Sequence, residues 1–93
     1  MEKIEFSGHV FEGHSIATEH SLILIIKARR GLLGCGYIAP ETADKVDDAL
    51  AVVTGVKSFD DMLAAPVKRF SSAAAKLGVT DGMTGREALL KMI

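Results

Sequence analysis

The sequence predicts an α+β fold, and three observations carry that reading. Apolar residues alternate at period two through much of the first 38 positions. From Pro40 onward they recur at helical spacing, and one short β-branched run, residues 50–54, interrupts that helical part. The expected order is β-β-β-β-α-β-α-α-α, a mainly antiparallel sheet of about five strands with helices packed on one face. With 93 residues, 48% of them hydrophobic and 25% charged, the chain can build one modest core and not two, so residues 1–93 read as a single domain.

The opening strand is marked by Ile4 and Phe6 alternating with Lys3 and Glu5, and Ser7-Gly8 reads as a two-residue hairpin turn into a returning strand over residues 9–18. A third strand opens at Ser21 or Leu22. Leu22, Leu24, Ile26 and Ala28 share one of its faces, and Ile23, Ile25, Lys27 and Arg29 share the other. Both faces begin apolar, so part of each is covered. Arg29-Arg30-Gly31 reads as a tight turn into a fourth strand over residues 32–38.

Pro40 suits the first turn of a helix, and Ala43, Val46, Ala49 and Leu50 follow at its spacing. The apolar run from Leu50 to its stop at Gly55 is a buried fifth strand, and strand, helix, strand implies a right-handed crossover. Ser58 with Asp61 resembles a capping box for a short helix carrying Phe59, Met62 and Leu63, which Pro66 ends or kinks. Val67, Phe70, Ala74 and Leu77 make the next helical face, closed at Gly78. Thr84 with Glu87 caps a last helix with Ala88, Leu89 and Met92 on one side.

Charge and cysteine content bound the function. A net charge of −1 lacks the basic excess of a general nucleic-acid binder, and five aromatic rings without a tryptophan offer no stacking platform. One cysteine permits no internal disulfide, and the acidic, alternating start MEKIEF is unlike a signal peptide, so the expected setting is cytoplasmic. The longest apolar run, Leu22-Ile23-Leu24-Ile25-Ile26, falls far short of the ~20 residues that span a bilayer. No nucleic acid and no membrane are therefore expected as partners.

The segments LILII, GLLGCGYI, AVVTGVKSFDDMLAAPV and AAAKLGVTDGMTGREALLKMI, in that order, resemble the YunC-like family of small bacterial and archaeal proteins, classed as a domain of unknown function. The resemblance spans nearly the whole chain. It is most specific at the step Cys35-Gly36-Tyr37 and at the terminal GMTGREAL of residues 82–89, whereas the opening hairpin with its three histidines matches only in pattern. What it implies is a single α+β domain with no nameable activity.

Cys35, between two glycines, is the first candidate for chemistry. Its surroundings depend on the turn before it. With a three-residue loop, Ala28 faces Leu32, and Cys35 lies opposite Ile25 on the face of Lys27, where a cation favours the thiolate. With a two-residue loop, Cys35 lies opposite Ile26 as a small buried hydrophobe. The three-residue loop is the expectation, with Cys35 packed at a contact rather than catalytic. Tyr37 shares the strand face of Cys35, and its hydroxyl can donate to a ligand.

Lys27 and Arg29, with Arg30, form a basic cluster suited to a phosphate or carboxylate, although charges at strand ends are usually solvated. Gly55 and Ser58 lie in a strand-to-helix loop that can also receive an anion, against which Asp60 and Asp61 act. His9, His14 and His20 have no zinc-type spacing and read as surface residues, leaving only a site shared between strands or subunits as a metal reading. No metal site is assigned and the cofactor is unknown. Two functions follow: a binding or assembly module that forms a homo-oligomer through its open sheet face and takes a small anionic ligand, or a small enzyme with Cys35 as nucleophile or redox thiol.

Overall fold

The computed structural model describes residues 1–93. Strands β1 (Glu2–Phe6) and β2 (His9–Ala17) form a hairpin through Ser7 and Gly8, both at positive φ (52° and 77°), the backbone that matches the twist of paired strands. Strand β3 (Leu22–Lys27) pairs antiparallel with β2. Strand β4 (Leu32–Gly34) pairs antiparallel with β3 and parallel with β5 (Leu50–Val52), so the segment between them crosses over and carries helix α1 (Pro40–Lys45). Beyond β5 lie α2 (Phe59–Ala64), β6 (Arg69–Phe70), α3 (Ser72–Lys76) and α4 (Gly85–Lys91), and the sheet runs β1-β2-β3-β4-β5-β6.

The fold class stands as expected, with three differences. The first is a sixth strand where helix was expected. Val67 N–H donates to the Met83 carbonyl and Lys68 N–H to the Val52 carbonyl, so residues 67–70 are extended, and β6 adds to β5. Helix begins only after Ser71, the one buried polar side chain (0% exposed). Its Oγ donates to the Asp48 carbonyl at 2.7 Å and accepts the N–H of Leu50 at 2.9 Å and, more weakly, that of Ala74 at 3.4 Å. Ser71 therefore starts α3 and ties it to the entrance of β5. The spacing of Val67 and Phe70 fits a helical stripe equally well, which is why it misleads.

The second difference is the placement of the helices. A cluster of 17 buried residues joins one sheet face, through Phe11, Leu24, Ile26, Leu33, Ala51 and Val53, to Met62 and Leu63 of α2, Ala74 of α3 and Ala88 and Leu89 of α4. Helix α1 instead covers the other face, where Ala43 packs on Leu50 and Val52, flanked by Leu32 and Ile38. All three residues of β5 are buried, as a strand covered on both sides requires. Over β1 to β3 that second face has no helix. The third difference is that β4 stops at Gly34: Ile38 N–H donates to the Cys35 carbonyl at 3.0 Å, folding residues 35–38 into a turn.

The terminal motif is a packing device. Thr84 Oγ1 accepts the Glu87 N–H at 3.2 Å, and Glu87 Oε1 accepts the Thr84 N–H at 2.9 Å, the reciprocal capping box read from the sequence. Gly85 follows because α4 starts against α2: a Cβ there would run into the Met62 carbonyl and stand 2.8 Å from Leu33 Cδ2.

Candidate functional site

The register of β3 against β4 decides where Cys35 points. Ile25 pairs with Gly34, Ile26 with Leu33 and Lys27 with Leu32, leaving a loop of four residues, 28–31, closed by the Ala28 N–H on the Gly31 carbonyl. This is neither of the two loops expected. One extra residue turns every following side chain to the opposite face, so Cys35 stands across from Leu24, on the side of Leu24, Ile26 and Leu33, and is 5% exposed. Lys27 projects from the other face and lies 3.8 Å from Glu12. The expected pairing of Cys35 with Lys27 is therefore overturned.

The longer loop is held from far along the chain. Arg30 donates from its backbone N–H to the Met92 carbonyl, from Nε to the Ile93 carbonyl at 2.8 Å, and from its guanidinium to the Lys91 carbonyl at 3.4 Å. A guanidinium that satisfies carbonyls at the end of α4 is a cap, and it leaves the basic cluster. Arg29 lines a hollow with His9, Val10 and Phe11, and shares another, at the β3–β4 loop, with Lys27, away from Cys35. The structure does not bring Lys27 and Arg29 to the Cys35 site.

Cys35 completes the sheet where β4 breaks off. Its N–H donates to the Leu24 carbonyl at 3.2 Å, but its own carbonyl has turned toward Ile38, and the Leu24 N–H donates to Sγ at 3.4 Å instead. The sulfur thus replaces the missing ladder acceptor. A small, polarizable acceptor suits a buried position where an unpartnered N–H is costly.

Three residues singled out from the sequence do converge. Because β4 and β5 are parallel and β3 is antiparallel to β4, the exits of β4 and β5 and the entrance of β3 lie at one end of the sheet. Residues 35–37, residues 55–57 and the pair Ser21-Leu22 there enclose a cleft of about 390 Å³, which gathers Cys35, Tyr37 and Gly55. In open parallel α/β sheets ligands bind in the crevice beyond the carboxyl ends of the strands, and the one parallel pair of this mainly antiparallel sheet has its cleft at the corresponding end. Lys57 lines the cleft and makes no ion pair. Ser58 instead caps α2: its Oγ accepts the Asp61 N–H, while Asp61 Oδ2 accepts the Lys57 N–H, both at 3.0 Å.

A second hollow adjoins the cleft through Ser21, Leu22, Val56 and Lys57, and adds residues 18–20. There Thr18 Oγ1 accepts the Ser21 N–H at 2.8 Å and lies 3.5 Å from the Tyr37 hydroxyl. His20 stands 3.6 Å from Glu19, and His14 stands 3.7 Å from Glu12 on the open face. Ser21, Leu22 and Thr18 escaped the sequence reading. The available signal was topological, since any residue opening β3 must lie beside the exit of β4.

The uncovered sheet face carries Val10 and Ile16, 60% and 61% exposed, with Ile23 and Ile25 half-buried beside them. Ile16 pairs directly with Ile23, and His14 with Ile25. Lys3, Glu12 and Lys27 form one row across β1, β2 and β3 on the same face.

Comparison with known proteins places these features in context. The family described as a domain of unknown function (DUF1805) matches residues 34–92. An uncharacterized protein of Bacillus subtilis (strain 168), YunC, is 29% identical over 97 residues, an alignment spanning 100% of this chain and 96% of that protein. The crystal structure of TA1206, a protein of unknown function from Thermoplasma acidophilum, superimposes with a TM-score of 0.93 at 36% identity, covering 99% of this chain and 90% of that one.

Proposed function

The chain belongs to the DUF1805 family, a domain of unknown function, and from that premise we propose that it is a small assembly module, pairing with a second copy of itself through the open sheet face. The observation that carries this reading is the exposure of Val10 and Ile16 beside Ile23 and Ile25, on a face that α1 leaves bare over β2 and β3. Apolar surface removed from water contributes about 25 cal/mol per Å². The row Lys3, Glu12, Lys27 supports a partner identical to the protein itself, because a two-fold interface must be complementary to its own copy and this row offers both signs.

The apolar surface continues toward α1. Ile38 packs over Gly34, the partner of Ile25, and Tyr37 and Val46 are exposed beyond it. A cytoplasmic setting belongs to this reading and is supported by the single unpaired cysteine; no helix is long and apolar enough to cross a membrane. Light scattering at micromolar concentration tests the proposal. The expected result is a mass of two chains or a multiple, falling to one chain in Ile16→Asp with an unchanged far-UV circular dichroism spectrum. A wild-type protein that stays monomeric, or an Ile16→Asp variant that stays assembled, refutes it.

A further inference from the structure

The cleft at the exits of β4 and β5 holds a different kind of information from the sheet face. We infer that it binds a small organic oxyanion, with a carboxylate or phosphate head group held by Lys57 and by free backbone N–H groups, and a short apolar body resting on Leu22 and Val56. The cleft volume of about 390 Å³ lies in the range of small-molecule sites. The backbone N–H groups of Gly36 and Tyr37 on one wall, and of Gly55 and Val56 on the other, donate to no acceptor within the protein. Lys57, between the cleft and the adjoining hollow, has no carboxylate partner.

The site does not depend on the start of α2. That helix has six residues, and the groups at its entrance are engaged: Ser58 Oγ takes the Asp61 N–H, and Asp61 Oδ2 takes the Lys57 N–H. Of the acidic groups in these loops, Asp61 accepts that backbone bond and Glu19 stands 3.6 Å from His20, while neither Asp60 nor Asp61 lines the cleft. What is left over is one cation and four unpartnered N–H donors around a hollow, and hydrogen bonds between such groups and an ionised oxygen are the strong ones. Tyr37 and Ser21 hydroxyls add donors that fix the head group, whereas the side chains of Leu22 and Val56 offer apolar contact alone. This inference stands apart from the pairing of copies and survives its failure.

Titration of the ¹⁵N-labelled protein with inorganic phosphate and, separately, with butyrate tests it. Both probes share the head-group chemistry, and butyrate adds the apolar body. The expected result is saturable amide shifts at Gly36, Tyr37, Gly55 and Val56 with at least one probe. The apparent Kd should rise about tenfold in Lys57→Gln, recover in Lys57→Arg, and stay unchanged in Lys27→Gln. Tighter binding of butyrate assigns the apolar contact, and tighter binding of phosphate assigns the ligand class to phosphate esters. The absence of saturable shifts with either probe, shifts centred on Arg29 and His9 instead, or shifts that persist undiminished in Lys57→Gln overturns the inference.

Discussion

The two segments that most resemble the family, Cys35-Gly36-Tyr37 and residues 82–89, are built to opposite requirements. The terminal segment is occupied by packing. Thr84 and Glu87 close a capping box, Ala88 and Leu89 are fully buried, and Gly85 lies where α4 meets the Met62 carbonyl of α2. In the other segment only Cys35 enters the core. A Cβ on Gly36 would meet nothing nearer than Thr54 Cγ2 at 3.7 Å, and Tyr37 is 56% exposed. The fold thus requires the glycine at 85 and merely accepts the one at 36, and within the Cys-Gly-Tyr step packing accounts for Cys35 alone.

That contrast can be attacked first at its strongest point. Gly85→Ala forces backbone apart where two helices touch, and should destabilise the protein by about 3 kcal/mol in urea unfolding, the upper range for overpacking. A cost below about 1 kcal/mol would show that α4 can shift and that the close approach is not required. Thr84→Ala, which removes a cap without disturbing that contact, should cost about 1 kcal/mol.

The capping box also predicts a pH dependence. The Thr84 backbone N–H, and after it the Thr84 hydroxyl, hold the Glu87 carboxyl below the usual carboxylate range. Its folded value lies below its unfolded one. The ionised form therefore adds stability above the unfolded value, and that contribution disappears as pH falls through the folded value. In urea unfolding, wild type should exceed Glu87→Gln near neutrality, and the gap should close below about pH 4. A gap that persists in acid would mean that the amide fails for another reason than charge.

The smallest expected effect sharpens the other side of the comparison. Gly36→Ala should change stability by less than about 0.5 kcal/mol, as at positions without a special backbone or a tight neighbour, while weakening any ligand held against the cleft wall. If Gly36→Ala unfolds the protein as Gly85→Ala does, the two segments serve packing alike and the distinction falls.

Local features were legible in the sequence. The Ser7-Gly8 hairpin was readable because a two-residue turn imposes its backbone on neighbours only, and both caps, Ser58 with Asp61 and Thr84 with Glu87, act across three residues. The candidate site was half legible. Cys35, Tyr37 and Gly55 lie together in the cleft with Lys57 of the same strand-to-helix loop, and Ser21 joined them. Ser58 caps α2 instead, and Lys27 and Arg29 lie elsewhere because the β3–β4 register was set by a longer loop.

Residue order alone settles the fold class, the strand-helix-strand crossover and the starts of α1, α2 and α4, since periodicity, turns and caps are short-range properties. The face of Cys35, the sixth strand and the cleft were decided only in three dimensions. Arg30 reaches the end of α4, more than sixty residues on, and lengthens the β3–β4 loop by the one residue that reverses side-chain parity. Val67 to Phe70 extend because β5 offers them a free edge and Ser71 delays the helix. The cleft exists because parallel pairing places the exits of β4 and β5 side by side, a relation between strands that no stretch of sequence contains.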